Sequence, residues 1–275
     1  MRIVDCGLRI VDLSLLALAQ RNGEAKRHAP KSMAALPSND HSAFCNPISA
    51  MPSVLLWLLV AIASPLPAAD FPSALVRSHP QLGTPFLQQA ESAMRSVPEN
   101  VWAGIRQAGW RVHLAEFVVD AAPQLRNTRP RGWPTNFTWS QTDAVNLPDT
   151  RVLILAEKRR RRSGEVVTSD RVSGVFRHEL GHAFDMIADR RYAFRSSNPQ
   201  FIRAYQNDVA QFGEDQDREL AYYLQGCSAG RQEAFAEAFA ILLGGGSDVT
   251  KATQFEQAFP RVLEYLRAEI DHYEP

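Results

Sequence analysis

The sequence predicts an α+β fold, a small sheet packed on a helical bundle. Strand-like alternation is confined to the first half of residues 70–275, helical periodicity dominates from residue 170 onward, and no internal repeat or low-complexity linker separates the two. With 275 residues, 45% hydrophobic and 22% charged, the chain has apolar material for one sizeable core. One domain is expected over residues 70–275.

Residues 1–69 read differently. Residues 1–50 show no sustained helical or strand period and are expected to be an upstream over-translation or disordered. Met51 opens a segment whose apolar run, residues 54–63, ends in Pro67-Ala68-Ala69. That run is too short to span a bilayer but has the length of a signal-peptide core. Residues 51–69 are therefore expected to be a signal peptide, with a buried helix or membrane anchor as the alternative because no positive n-region follows Met51. The mature protein is expected to be secreted or periplasmic, without stable membrane insertion after cleavage.

Thirty basic and thirty acidic residues balance, and six of the former and four of the latter precede residue 70, leaving a net charge of −2 on the rest. Nothing in that balance draws the protein to nucleic acid. Cys6 and Cys45 lie in the leader, so Cys227 has no partner for an internal disulfide in residues 70–275.

Helical spacing marks residues 85–95 and 99–108, with Pro98 opening the second and Gly109 closing it. A half-buried strand follows at 110–119, where Trp110, Val112 and Leu114 alternate with Arg111 and His113. Residues 122–148, rich in Pro, Gly, Asn and Thr, are expected to be a long ordered loop. Residues 151–157 form the clearest strand, with 165–168 as its expected antiparallel partner. Between them, Lys158-Arg159-Arg160-Arg161-Arg162 lacks interleaved aromatics and reads as a solvated hairpin tip rather than a binding patch. Helices are expected at 170–189, 199–212 with Asn198 as cap and Pro199 first, 215–224, 231–243 stopped by Gly244-Gly245-Gly246, and 261–272 after Pro260.

The chemistry concentrates at His178-Glu179-Leu180-Gly181-His182. Two histidines four apart on a helix lie on one face, close enough for both imidazoles to reach one Zn²⁺. Glu179 stands where it takes a proton from a metal-activated water without entering the coordination shell. A third ligand is still required. The metzincin extension is excluded, because Asp185 and Ala188 occupy its Gly and third His positions. The other route is a carboxylate on a later helix, and Gln232-Glu233-Ala234-Phe235-Ala236-Glu237-Ala238-Phe239 offers two on an otherwise apolar one. Glu233 is expected to be the ligand and Glu237 the acceptor of a ligand histidine's N–H, with exchanged roles as the open alternative.

These two segments resemble the catalytic domain of the anthrax lethal factor family, which also looks like the secreted Pro-Pro endopeptidases. The resemblance covers the chain loosely from about residue 85 and is specific only at the two motif helices. It implies a zincin-like metallopeptidase domain of the gluzincin type, with His178, His182 and Glu233 on zinc and Glu179 as general base. The family's carbonyl-polarising Tyr would fall at Gly226. Tyr222 and Tyr223 are the nearest candidates, and Tyr223 is the expected donor if the loop 226–230 brings it round.

The function expected is a secreted zinc metalloendopeptidase acting on a peptide or protein substrate, which pairs with the edge of the 151–157 strand. Two alternatives are a non-proteolytic zinc hydrolase on the same site and a zinc domain that only binds a partner; Glu179 argues against the second.

Overall fold

Proline and glycine set the first two helices of the protein, whose computed structural model describes residues 75–129, 135–187, 192–213, 220–225 and 228–275. Pro85 sits in the first turn of α1 (Thr84–Arg95); Pro98 precedes α2 (Glu99–Gln107) and Gly109, at φ 77°, follows it. Both helices bury one face, through Phe86, Ala90, Met94, Val101, Trp102 and Ile105.

The main sheet has four strands, β1 (Val76–Ser78), β2 (Arg111–Ala115), β3 (Ala144–Leu147) and β4 (Val152–Ala156), in the order β1-β2-β4-β3. β1, β2 and β4 run parallel, and β3 lies antiparallel to β4 at the edge. A short helix, α3 (Val118–Ala121), covers the face formed by Ala115, Val145, Val152, Ile154 and Ala156 together with Trp139. The opposite face, with Val112, Leu114, Ala144, Leu153 and Leu155, joins the helical core.

Two expectations change here. The strand over 151–157 is correct in place, but its partners are β2 and β3, not residues 165–168. That later segment, β6 (Val166–Thr168), pairs instead with β5 (Lys158–Arg160) in a separate hairpin. With β4 flanked on both sides, its edge is closed to a substrate. Among the described residues the sheet ends on β1 and β3, and β3, which lies inside the stretch expected to be loop, is the edge tied to the motif helix through Asn146. Ala156 N–H donates to Asp143 O at 2.8 Å, so by alternation Val145 and Leu147 bond β4 while the main-chain groups of Ala144 and Asn146 face outward.

The basic hairpin is tied to the protein. Lys158 pairs with Glu116, Arg159 with Asp143 and Arg161 with Glu165, each at 3.0 Å, and Arg160 lies over the Phe117 ring.

The second half is helical: α4 (Val172–Asp185), α5 (Pro199–Val209), α6 (Ala229–Leu242), α7 (Val249–Ala258) and α8 (Pro260–Asp271). Asn198 caps α5 through Gln200 N–H at 2.8 Å, with Pro199 in first position. α7 was not expected; Asp248 caps it by accepting from Thr250 and Lys251 N–H.

α4 and α6 pack so closely that a Cβ on Gly181 would stand 2.8 Å from Ala236 Cα and 2.9 Å from its carbonyl. Only glycine at 181, facing the alanines of α6, admits this approach. No described helix is long and apolar enough to cross a membrane. The expected leader, the signal peptide at 51–69, Cys227 and the first part of the helix expected at 215–224 lie outside the described residues.

Candidate metal centre

α4 is buried over most of its length, and both motif histidines point toward α6. Their rings stand 4.9 Å apart at 86°. From α6, Glu233 Oε2 lies 3.3 Å from His178 Nε2 and 3.3 Å from His182 Nε2. The three residues form a set that can hold a metal ion, all buried, with ligand atoms within 4.8 Å of one another. Ligands held tetrahedrally about 2.0–2.1 Å from one zinc stand about 3.3–3.4 Å apart, so the donor separations fit.

The polar accounting agrees. Glu233 Oε2 has no properly aligned hydrogen-bond donor among the described residues, although two imidazole nitrogens are near it. A buried carboxylate oxygen left so is costly unless a cation satisfies it. The donor set, two imidazoles and one carboxylate, suits zinc.

Glu237, with no exposed surface, supports the other side of His178, its Oε2 lying 2.8 Å from Nδ1. The carboxylate accepts the Nδ1 proton, so coordination falls to Nε2, which gives up its own proton when a metal binds. Burial alone would lower the His178 pKa, but Glu233 and Glu237 outweigh it and push it up to about 10. For Glu233, burial works upward, yet the two histidines hold the carboxyl down to about 2. The same negative field favours a metal cation.

Glu179, 3% exposed, has its Oε2 buried without a hydrogen-bond partner among the described residues. Burial raises its pKa, with His182 and His178 partly offsetting it and the Asn146 main chain also favouring the ionised form. A carboxyl raised in this way is a better proton acceptor than a solvated one. Asn146 Nδ2 donates to Glu179 O at 3.1 Å, tying β3 to the motif helix.

Of the two tyrosines, the structure brings Tyr222 to the site and turns Tyr223 away. Both belong to the 3-10 turn Ala221–Leu224, in which neighbouring side chains diverge. The Tyr222 hydroxyl lies within the field of the Glu233 carboxylate; burial raises its pKa first, and Glu233 and Glu179 add to the rise. Tyr223 packs into the core, its ring 4.9 Å from Phe255 and 6.0 Å from Phe259. Its hydroxyl has no hydrogen-bond partner among the described residues. The tyrosine expected as donor, Tyr223, is thus seated in the core, and Tyr222 is the one under the charges of both Glu233 and Glu179. The turn is fixed by Tyr205 Oη donating to Tyr223 O at 2.6 Å and Gln225 Nε2 donating to Tyr222 O at 2.8 Å.

Asp185, at the end of the motif helix, accepts from Ser196 N–H at 2.6 Å and Ser196 Oγ at 2.8 Å. Burial pushes its pKa up to about 6 against those bonds. It anchors the segment after α4 rather than joining the donor cluster. Sequence reasoning missed Asn146, which is hidden in the loop-like composition of residues 122–148, and Ser247, which follows a glycine run read only as a helix stop.

No protein-family model and no curated protein sequence matches the chain. Among solved structures, it is similar to the Pro-Pro endopeptidase PPEP-2 from Paenibacillus alvei, with a TM-score of 0.49 and 17% identity, covering 71% of this chain and 97% of that chain. The α+β class is read from the chain's own helices and strands.

Proposed function

We propose that the protein is a zinc-dependent metalloendopeptidase whose ligands are His178, His182 and Glu233. One observation carries this reading: Glu233 Oε2 stands 3.3 Å from both imidazole Nε2 atoms, at the spacing of a tetrahedral zinc site. When bound, zinc supplies Lewis acidity toward a carbonyl oxygen and lowers the pKa of water toward about 7. Glu179 accepts the proton of the attacking water and returns it to the departing amine. Tyr222 donates its hydroxyl to the oxyanion that develops on the substrate carbonyl. An extended peptide pairs with the outward main-chain groups of Ala144 and Asn146, next to Glu179. The reading also takes residues 51–69 as a signal peptide and residues 70–275 as the secreted or periplasmic enzyme.

Elemental analysis should find one zinc per chain in protein purified without chelators. Chelation should abolish cleavage of a peptide library and added Zn²⁺ should restore it. A protein that neither carries zinc nor takes it up on reconstitution overturns the proposal.

The tyrosine assignment has its own expected result. Tyr222→Phe should lower kcat by about 10²-fold, the scale for losing one oxyanion donor, with KM changing little. Tyr223→Phe should leave kcat unchanged, because its ring rather than its hydroxyl makes the contacts. Steady-state kinetics on both variants checks the assignment, and the reverse pattern would return the role to Tyr223.

A further inference from the structure

The Gly244-Gly245-Gly246-Ser247 segment does more than end α6. Gly244 and Gly245 have φ of 113° and 134°, a region closed to other residues, and they turn the chain back over α6. The loop is clamped from both sides. A Cβ on Gly174 of α4 would stand 2.1 Å from Gly246 O, and one on Gly246 would stand 2.2 Å from Glu237 Oε1. Asp248, after the loop, caps α7 and makes no contact with Glu237 among the hydrogen bonds of the described residues.

This path delivers Ser247, 6% exposed, to the Glu237 carboxylate. Its N–H donates to Oε1 at 3.1 Å and its hydroxyl donates to Oε2 at 2.8 Å. Oε2 is also the oxygen that takes His178 Nδ1–H at 2.8 Å. Glu237 thus lies between one donor from the histidine and two from Ser247. A buried carboxylate that loses a donor shifts its orientation or its charge, and the histidine it holds is freed with it.

We infer that Ser247 is a positioning residue of the metal centre, holding Glu237 in the orientation that keeps the His178 Nε2 lone pair on the metal. The inference rests on the proposed reading of His178, His182 and Glu233 as ligands. The relay runs from the loop through Glu237 to His178, and no atom of Ser247 touches metal or substrate.

The test measures zinc affinity of the full chain by competition with a chelator, alongside the absorption spectrum of the Co²⁺-substituted protein. Ser247→Ala should weaken zinc binding by about 10-fold, the lower end of the range for partners outside the ligand shell, and shift the Co²⁺ bands. Gly246→Ala, which pushes directly on Glu237 Oε1, should weaken it further. Asp248→Ala removes the α7 cap without touching Glu237, so it should lower the thermal midpoint and leave zinc affinity unchanged. Unaltered affinity in both Ser247→Ala and Gly246→Ala overturns the inference, as does an equal loss in Asp248→Ala, which would make loop integrity the cause. A parent protein that binds no zinc overturns the metal-centre reading itself, and this inference with it.

Discussion

Glu179→Gln is expected to keep one zinc per chain while peptide cleavage falls by about 10³- to 10⁴-fold, the upper part of the range for a general base. Glutamine matches glutamate in size but cannot accept the proton of the attacking water. The proposed coordinating set, His178, His182 and Glu233, does not include Glu179, so the metal should remain. Stability should move the other way. Burial raises the Glu179 pKa above its unfolded value, so the folded state loses stability as pH rises from the unfolded toward the folded pKa. The neutral variant lacks that loss, and in chelator-treated protein it should melt at or above the parent's temperature at pH 7. Zinc content, cleavage rate and thermal midpoint on the same preparation check all three. Full activity in the variant would remove Glu179 from the role of base.

Glu233→Ala should lose zinc affinity by more than about 100-fold, beyond the roughly 10–100-fold typical of an outer partner such as Glu237. The difference is geometric. Glu233 Oε2 stands 3.3 Å from the Nε2 atoms of both histidines, whereas Glu237 faces Nδ1 of His178 alone. Removing Glu233 deletes a donor; removing Glu237 leaves all three donors but frees one ring to turn. Chelator competition on Glu233→Ala and Glu237→Ala ranks the two. Should Glu237→Ala prove the more damaging, the ligand is Glu237 and Glu233 is its support.

Local spacing is what made the candidate metal centre legible. His178 and His182 are one turn apart, so a helix of any packing puts both on one face. Two carboxylates on the apolar helix containing Ala234, Phe235 and Ala236 demanded a charged partner, which narrowed the third ligand to Glu233 or Glu237. Helix α5 was equally readable, since Asn198 and Pro199 are chemistry that acts within one turn. The α+β class followed from strand-like segments preceding helical ones.

Features that depend on distant pairing were not legible. Residues 144–147 carry Asn146 amid a loop-like composition, and they become a strand only because β4 lies beside them. The expected partner of β4 was the segment 165–168, yet β4 pairs with β3 and, in parallel, with β2, some forty residues earlier, and the short hairpin pairs with itself. Register across such separations is set by how two faces bury against the helices, which no local window contains.

The two adjacent tyrosines draw the boundary most sharply. Sequence spacing brought both to the neighbourhood of Glu233, but could not choose between residues one position apart. The choice came from the phase of a 3-10 turn and from Phe255 and Phe259, which provide Tyr223 with an apolar seat on and just after α7. Ser247 obeys the same limit: its distance from Glu237 is the product of the glycine run after α6 and two packed helices acting together. Residue types and one-turn spacings decide which chemistry is present; the packing of α4, α6 and α7 decides which hydroxyl meets which carboxylate, because that distance is a sum over contacts far apart in the chain.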